Sequence, residues 1–136
     1  MNILIVDSDY EHRKMLIRLL SHYGTCDVAE NGLEGVRIFL RSIDERNPYH
    51  LVFIDAQLPR IDAASMLATM RFMQRQHNIF ISKIIIAIPP NSPRLPILRD
   101  DDRWDGLLIK PYTEMEVVKM LHECSLVSDS AKIFSE

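Results

Sequence analysis

Leu51-Val52-Phe53-Ile54-Asp55 is four apolar residues in a row closed by an acid. A strand with one wet face alternates apolar and polar residues; an unbroken run fits a parallel strand covered on both faces. Three more runs share this character, at residues 3–6, 84–88 and 107–109, and the first and last also end in a charged residue, Asp7 and Lys110. Residues 26–29 form a weaker candidate, placed mainly by lying between two helical stretches. The intervening segments carry helical stripes. Met15, Leu16, Leu19 and Leu20 follow Asp9, an acceptable N-cap. Val36, Phe39, Leu40 and Ile43 follow the Asn31-Gly32 break, and Met66, Leu67, Met70 and Met73 make a third stripe. Met115, Val118 and Leu121 make the last, opened by Thr113 with Glu116 three residues on, a capping-box spelling. Strand and helix thus alternate five times, which predicts an α/β fold: a doubly wound, five-stranded parallel sheet with helices on both faces. Pro89, Pro90, Pro93 and Pro96 crowd the fourth crossover. Proline clashes inside a helix, so the fourth helix is expected to start late, near Pro96, or to be short and distorted.

The 136 residues suit one domain, taken as 1–124, with a flexible Ser-rich C-terminal tail at 125–136. The net charge of −3 and the lack of a basic stripe or of aromatics interleaved with cations argue against nucleic acid. Cys26 and Cys124 lie far apart and match no metal spacing, which suits a reducing compartment. No stretch resembles a signal peptide or a membrane span. A soluble, cytoplasmic protein is expected. His12, His22, His50, His77 and His122 show no ligand spacing and are expected at the surface; the methionines of the third helix are expected in the core.

In an open α/β sheet, ligands bind beyond the carboxyl ends of the strands. The residues expected there are Asp7, Ser8 and Asp9 after the first strand, Asp55 after the third, and Lys110-Pro111 after the fifth. Two carboxylates and a lysine on one edge are what Mg²⁺-assisted phosphoryl transfer needs. Mg²⁺ takes oxygen ligands and keeps several waters, a carboxylate can attack phosphorus, and a lysine offsets charge on the phosphoryl oxygens.

Ile-Leu-Ile-Val-Asp at 3–7, Leu-Val-Phe-Ile-Asp at 51–55 with Gln-Leu-Pro at 57–59 and Asp62, and Ile-Lys-Pro at 109–111 resemble the signature blocks of the response-regulator receiver family, chemotaxis-regulator-like modules of two-component signalling. Cys-Asp-Val-Ala-Glu-Asn-Gly at 26–32 resembles that family's second strand and turn. The likeness spans roughly residues 2–123. It implies the flavodoxin-like receiver fold, with Asp55 as phosphoacceptor from a sensor histidine kinase or phosphotransfer protein and Lys110 as partner of the phosphoryl group. It also implies a Mg²⁺ site of Asp7, Asp55 and the Gln57 backbone carbonyl, and a cis Lys110-Pro111 bond. Signalling would pass to a downstream protein target, with no nucleic acid or membrane, from a monomer or weak dimer, and without enzymatic activity.

The chain departs from the family pattern at four places. Ser8 stands where a second acid is usual, so Mg²⁺ should bind weakly; Asp9 could reach in or serve as the helix cap. Pro89 stands where strand four usually ends in a hydroxyl that reports the phosphate, and Leu107 where an aromatic ring usually moves with it. Ala63 replaces a usual glycine. These departures raise a rival reading, a pseudo-receiver acting as a phosphorylation-independent interaction module. A flavodoxin-like ligand binder or small enzyme is disfavoured: the chain has four glycines and no G-x-G-x-x-G loop.

Overall fold

A computed structural model describes residues 1–58, 61–79 and 81–127. The elements run β1 (Asn2–Val6), α1 (Tyr10–Leu20), β2 (Thr25–Ala29), α2 (Gly32–Asp44), β3 (Leu51–Asp55), α3 (Ala63–His77), β4 (Lys83–Ile88), α4 (Leu95–Arg99), β5 (Gly106–Ile109) and α5 (Glu114–Glu123). All strand pairs are parallel, in the order β2-β1-β3-β4-β5.

The unbroken apolar runs feed two cores, one on each face. Leu4 and Val6, Val52 and Ile54, and Ile84, Ile86 and Ile88 point to the side covered by Phe39 and Ile43 of α2, Met66, Leu67 and Met70 of α3, and Leu95 and Leu98 of α4. Their neighbours Ile3, Ile5, Leu51, Phe53 and Ile85 point to the side of Leu16 and Leu20 of α1 and Val117 and Leu121 of α5. β2, an edge strand, keeps only Ala29 fully buried, which explains its weak sequence signal. At Gly35 the sheet and α2 meet closely: an added Cβ would lie 2.9 Å from Val6 Cγ2.

The caps follow the sequence. Asp9, Asn31, Asp62 and Thr113 each accept backbone N–H bonds at the start of a helix, and Thr113 with Glu116 forms the full capping box. α4 is five residues long with Pro96 in its first turn, where a missing N–H costs nothing. One stripe differs. α5 presents Val117, Leu121 and Cys124 to the sheet, while Met115 is 82% exposed. Apolar residues three and four apart spell two possible faces on this helix; the cap at Thr113 places Met115 in the first turn, beyond the end of the sheet. After α5, Leu126 N–H donates to the Leu121 carbonyl, and Leu126 and Val127 pack against the α1–α5 core. The remainder of the expected tail, 128–136, and Pro59 of the Gln-Leu-Pro block lie outside the described residues.

Candidate functional site

Strand register assembles the site. Val6 pairs with Ile54, so Asp7 and Asp55 leave neighbouring strands side by side; Asp55 pairs with Ala87, and Ile88 with Ile109, which brings Lys110 to the same edge. Both acids are almost fully buried, Asp7 at 1% and Asp55 at 3% exposure. Lys110 Nζ donates to Asp55 Oδ1 at 2.6 Å and to Gln57 Oε1 at 3.3 Å, and the Lys110-Pro111 bond is cis. Gln57 therefore brings a side chain to the site as well as its backbone.

Each carboxylate has one oxygen tied down. Asp55 Oδ1 also accepts the Gln57 N–H at 3.1 Å, and Asp7 Oδ1 accepts the Asp9 N–H at 2.8 Å. Among the described residues neither Oδ2 accepts a hydrogen bond; that of Asp7 faces His12 Nδ1 at 3.6 Å. Burial, seconded by the charge of Asp55, pushes the Asp7 carboxyl up to about 6, against the opposing pull of the Asp9 N–H, His12 and Lys110. Two buried carboxyl groups at one edge, each with an oxygen that accepts no hydrogen bond among the described residues, offer donors of the kind a hard cation takes once both are ionised. Among the described residues no three His, Cys, Asp or Glu side chains gather into a metal-holding group. A cation at this edge would have Asp7 and Asp55 as its acidic side-chain ligands.

Ser8 is exposed. Asp9 turns its carboxylate to the start of α1, accepting from Glu11 and His12 N–H at 2.9 and 3.1 Å; the His12 bond foremost holds its carboxyl below the usual range. Asp9 is thus occupied as a helix cap. Pro89, half-buried, ends β4 with no side-chain donor, and its carbonyl accepts from Ser92 N–H at 3.2 Å. Leu107 is half-buried against the α2–α3 core. Ala63 is a buried first residue of α3.

Two neighbours are new relative to the sequence reading. His12, on the first turn of α1, lies at the surface as expected, its side chain 39% exposed, with Nδ1 turned toward Asp7. Tyr112 packs its ring at a tilt against Phe53, centroids 5.8 Å apart, and against His12 at 6.5 Å. Burial, then Asp7 and Asp55, raise its hydroxyl pKa. A third contact joins the β3–α3 loop to the segment between β4 and α4: Arg94 Nη1 donates to Asp62 Oδ2 at 2.7 Å.

This sheet order is that of the receiver fold, and solved response-regulator receiver domains resemble this chain. A receiver domain from Clostridium thermocellum superposes with a TM-score of 0.74 at 19% identity, over 90% of this chain and 92% of that one. A CheY-like receiver from Methanospirillum hungatei gives 0.73 at 20%, over 96% and 95%. A Saccharomyces cerevisiae receiver domain, co-crystallised with a histidine phosphotransfer signaling protein, gives 0.71 at 22%, over 93% and 90%. No family model matches the sequence. One curated relative, hybrid signal transduction histidine kinase E of Dictyostelium discoideum, is 28% identical over 113 residues; the match covers 82% of this chain and 6% of that protein's length. The fold is therefore the receiver fold. No helix among the described residues is long and apolar enough to cross a membrane.

Proposed function

We propose that this chain is a receiver domain of a two-component or phosphorelay pathway, with Asp55 as its phosphoacceptor. The observation that carries this reading is the 2.6 Å contact of Lys110 Nζ with Asp55 Oδ1, beside buried Asp7, at the carboxyl edge of the sheet. The untethered Oδ2 of Asp55 attacks the phosphorus of a phosphohistidine. The P–N bond breaks, the imidazole leaves with the bonding pair, and an aspartyl phosphate forms. Lys110, already seated, offsets negative charge on the transferring oxygens without moving far. Mg²⁺, when bound by Asp7, Asp55 and the Gln57 carbonyl, supplies further charge neutralisation. With Ser8 exposed and Asp9 engaged as a cap, that binding is weak.

The phosphohistidine donor is a sensor histidine kinase or a phosphotransfer protein, in keeping with the partner seen with the yeast receiver and with the kinase relative. The readout is contact with a downstream protein in the cytoplasm by a monomer or weak dimer. The test is incubation with a small phosphoramidate and intact-mass measurement. One base-labile phosphoryl adduct is expected, absent in Asp55→Asn; a base-stable adduct, or one surviving in the variant, contradicts the assignment.

A second reading keeps the fold and drops the phosphate: a pseudo-receiver that binds partners constitutively. Pro89 favours it, because β4 ends without the hydroxyl that would sense a phosphoryl group.

A further inference from the structure

Asp7 is held by its main chain as well as by its carboxylate. Its N–H donates to the Ala29 carbonyl at 3.1 Å, its Oδ1 accepts the Asp9 N–H, and its carbonyl accepts from Arg13 Nη1 at 2.7 Å. The third bond stands apart, because it comes from a charged side chain one turn into α1 and reaches the backbone of the acid, not its carboxyl. Arg13 is placed for this. Its side chain is 12% exposed, Nη2 lies 3.7 Å from Glu30 Oε1 beyond the end of β2, and the guanidinium sits over the Tyr10 ring, 5.8 Å from the centroid. A guanidinium is a planar fork of several donors, so one group serves the Asp7 carbonyl and leans toward Glu30 at once. Tyr10, itself 65% exposed, covers the face of that fork. The Arg13 N–H also bonds the Asp9 carbonyl at 3.0 Å, so one residue grips both ends of the Asp7–Asp9 turn.

We propose that Arg13 is a positioning residue for phosphoryl uptake: by gripping the Asp7 carbonyl it fixes the turn between β1 and α1 and keeps the Asp7 carboxyl beside Asp55. The proposal rests on the reading of Asp55 as phosphoacceptor. The turn needs an anchor because of where it holds its acid. Asp7 is 1% exposed and leaves the strand next to that of Asp55, and two like charges in a buried place push each other apart. Swinging the turn outward would relieve both the burial and the repulsion. Hydrogen bonds from a charged donor are among the strong ones, and this one opposes the swing at its pivot. The Arg13–Glu30 pair adds little by itself, since Glu30 is 72% exposed; it orients the fork.

The experiment compares the full chain with Arg13→Met, Arg13→Lys, Tyr10→Ala, Arg18→Met and Asp55→Asn. Two quantities are read: the rate of phosphoryl uptake over a range of phosphoramidate concentrations, by intact mass, and amide hydrogen exchange by NMR. Methionine keeps an apolar stem and removes every donor. Arg13→Met should lower the maximal uptake rate by about ten- to hundredfold, the scale of a misplaced catalytic group, with the half-saturating donor concentration unchanged. Exchange at the Asp9 amide, which Asp7 Oδ1 protects, should speed roughly tenfold relative to the amides of β3. Arg13→Lys, which keeps a charged donor, should recover part of both losses, and Tyr10→Ala should show a smaller fall in the same direction. Arg18→Met, which breaks only the exposed pair with Glu114, should stay within twofold of the parent. A purely structural Arg13 gives another pattern: all amides speed together, and uptake per folded molecule stays within twofold. That pattern, with Asp55→Asn inert, overturns this proposal alone. If the parent takes up no phosphoryl group, or Asp55→Asn takes it up as well, the phosphoacceptor reading fails and this proposal with it.

Discussion

The two halves of the upper sheet edge differ in completeness. On one side, the ends of β1, β3 and β5 bring two buried acids and a lysine to one edge, with the Asp9 and Gln57 N–H groups bonded to the acids and Lys110 bonded to Asp55. On the other, the segment leaving β4 begins in Pro89, carries three more prolines and reaches a five-residue helix. The first half has the groups for taking up a phosphoryl group. In the second, Pro89 offers no donor at the end of the strand, and Leu107 of β5 packs as an aliphatic core residue. A ligand shifts a two-state element only through contacts that differ between the states. On the proposed reading chemistry and transmission are therefore separable: Pro89 and Leu107 depart from the family pattern on the transmission side, and Ser8 on the side of the chemistry.

The largest effect expected from probing this contrast concerns Asp7. Its carboxyl titrates near 6 in the folded chain against 3.8 unfolded, so the folded state holds that proton more tightly. Its favourable contribution is present below about pH 4, is lost as pH rises toward 6, and at pH 7.5 the ionised group burdens the fold by about 3 kcal/mol at most. Asp7→Asn keeps an acceptor for the Asp9 N–H and removes the charge. In chelator it should raise unfolding free energy by about 1–3 kcal/mol at pH 7.5, the gain shrinking to nothing near pH 4. Urea unfolding at the two pH values checks this; an equal gain at both would place the effect in packing.

A smaller effect is expected on the other half. The Asp62–Arg94 pair joins the β3–α3 loop to the segment between β4 and α4, but its side chains are 32% and 57% exposed. An exposed pair contributes less than about 1 kcal/mol. Arg94→Ala should therefore change urea unfolding by no more than that, because the proline-rich segment is held mainly by its own limited freedom and by buried Leu95 and Leu98. A loss of several kcal/mol would show that the ion pair, and not the prolines, fixes this region.

How much of this was legible in the sequence follows from which signals are local. The central strands were legible because both of their faces are buried, leaving unbroken Ile, Leu and Val runs. β2 was marginal because its outer side is wet. The α5 face was misread because Met115/Val118/Leu121 and Val117/Leu121 are both helical spacings, and only the cap and the sheet's end choose between them. Asp7, Asp55 and Lys110 were legible because each ends or directly follows an apolar strand run. The nearness of His12 to Asp7 was not: a histidine's spacing carries no information until the Asp9 cap fixes where α1 begins and which way its first turn faces. Tyr112 gave no signal either, since its ring contacts with Phe53 and His12 arise only in three-dimensional packing.

The separation of chemistry from transmission is tested most directly by backbone amide chemical shifts with and without a beryllofluoride phosphoryl mimic. The account predicts large changes confined to the loops around Asp7, Asp55 and Lys110, with Leu107, α4 and the far turns of α5 nearly still. Comparable changes running through Leu107 and along α5 would contradict it, and would show that a route other than a β4 hydroxyl carries the signal outward.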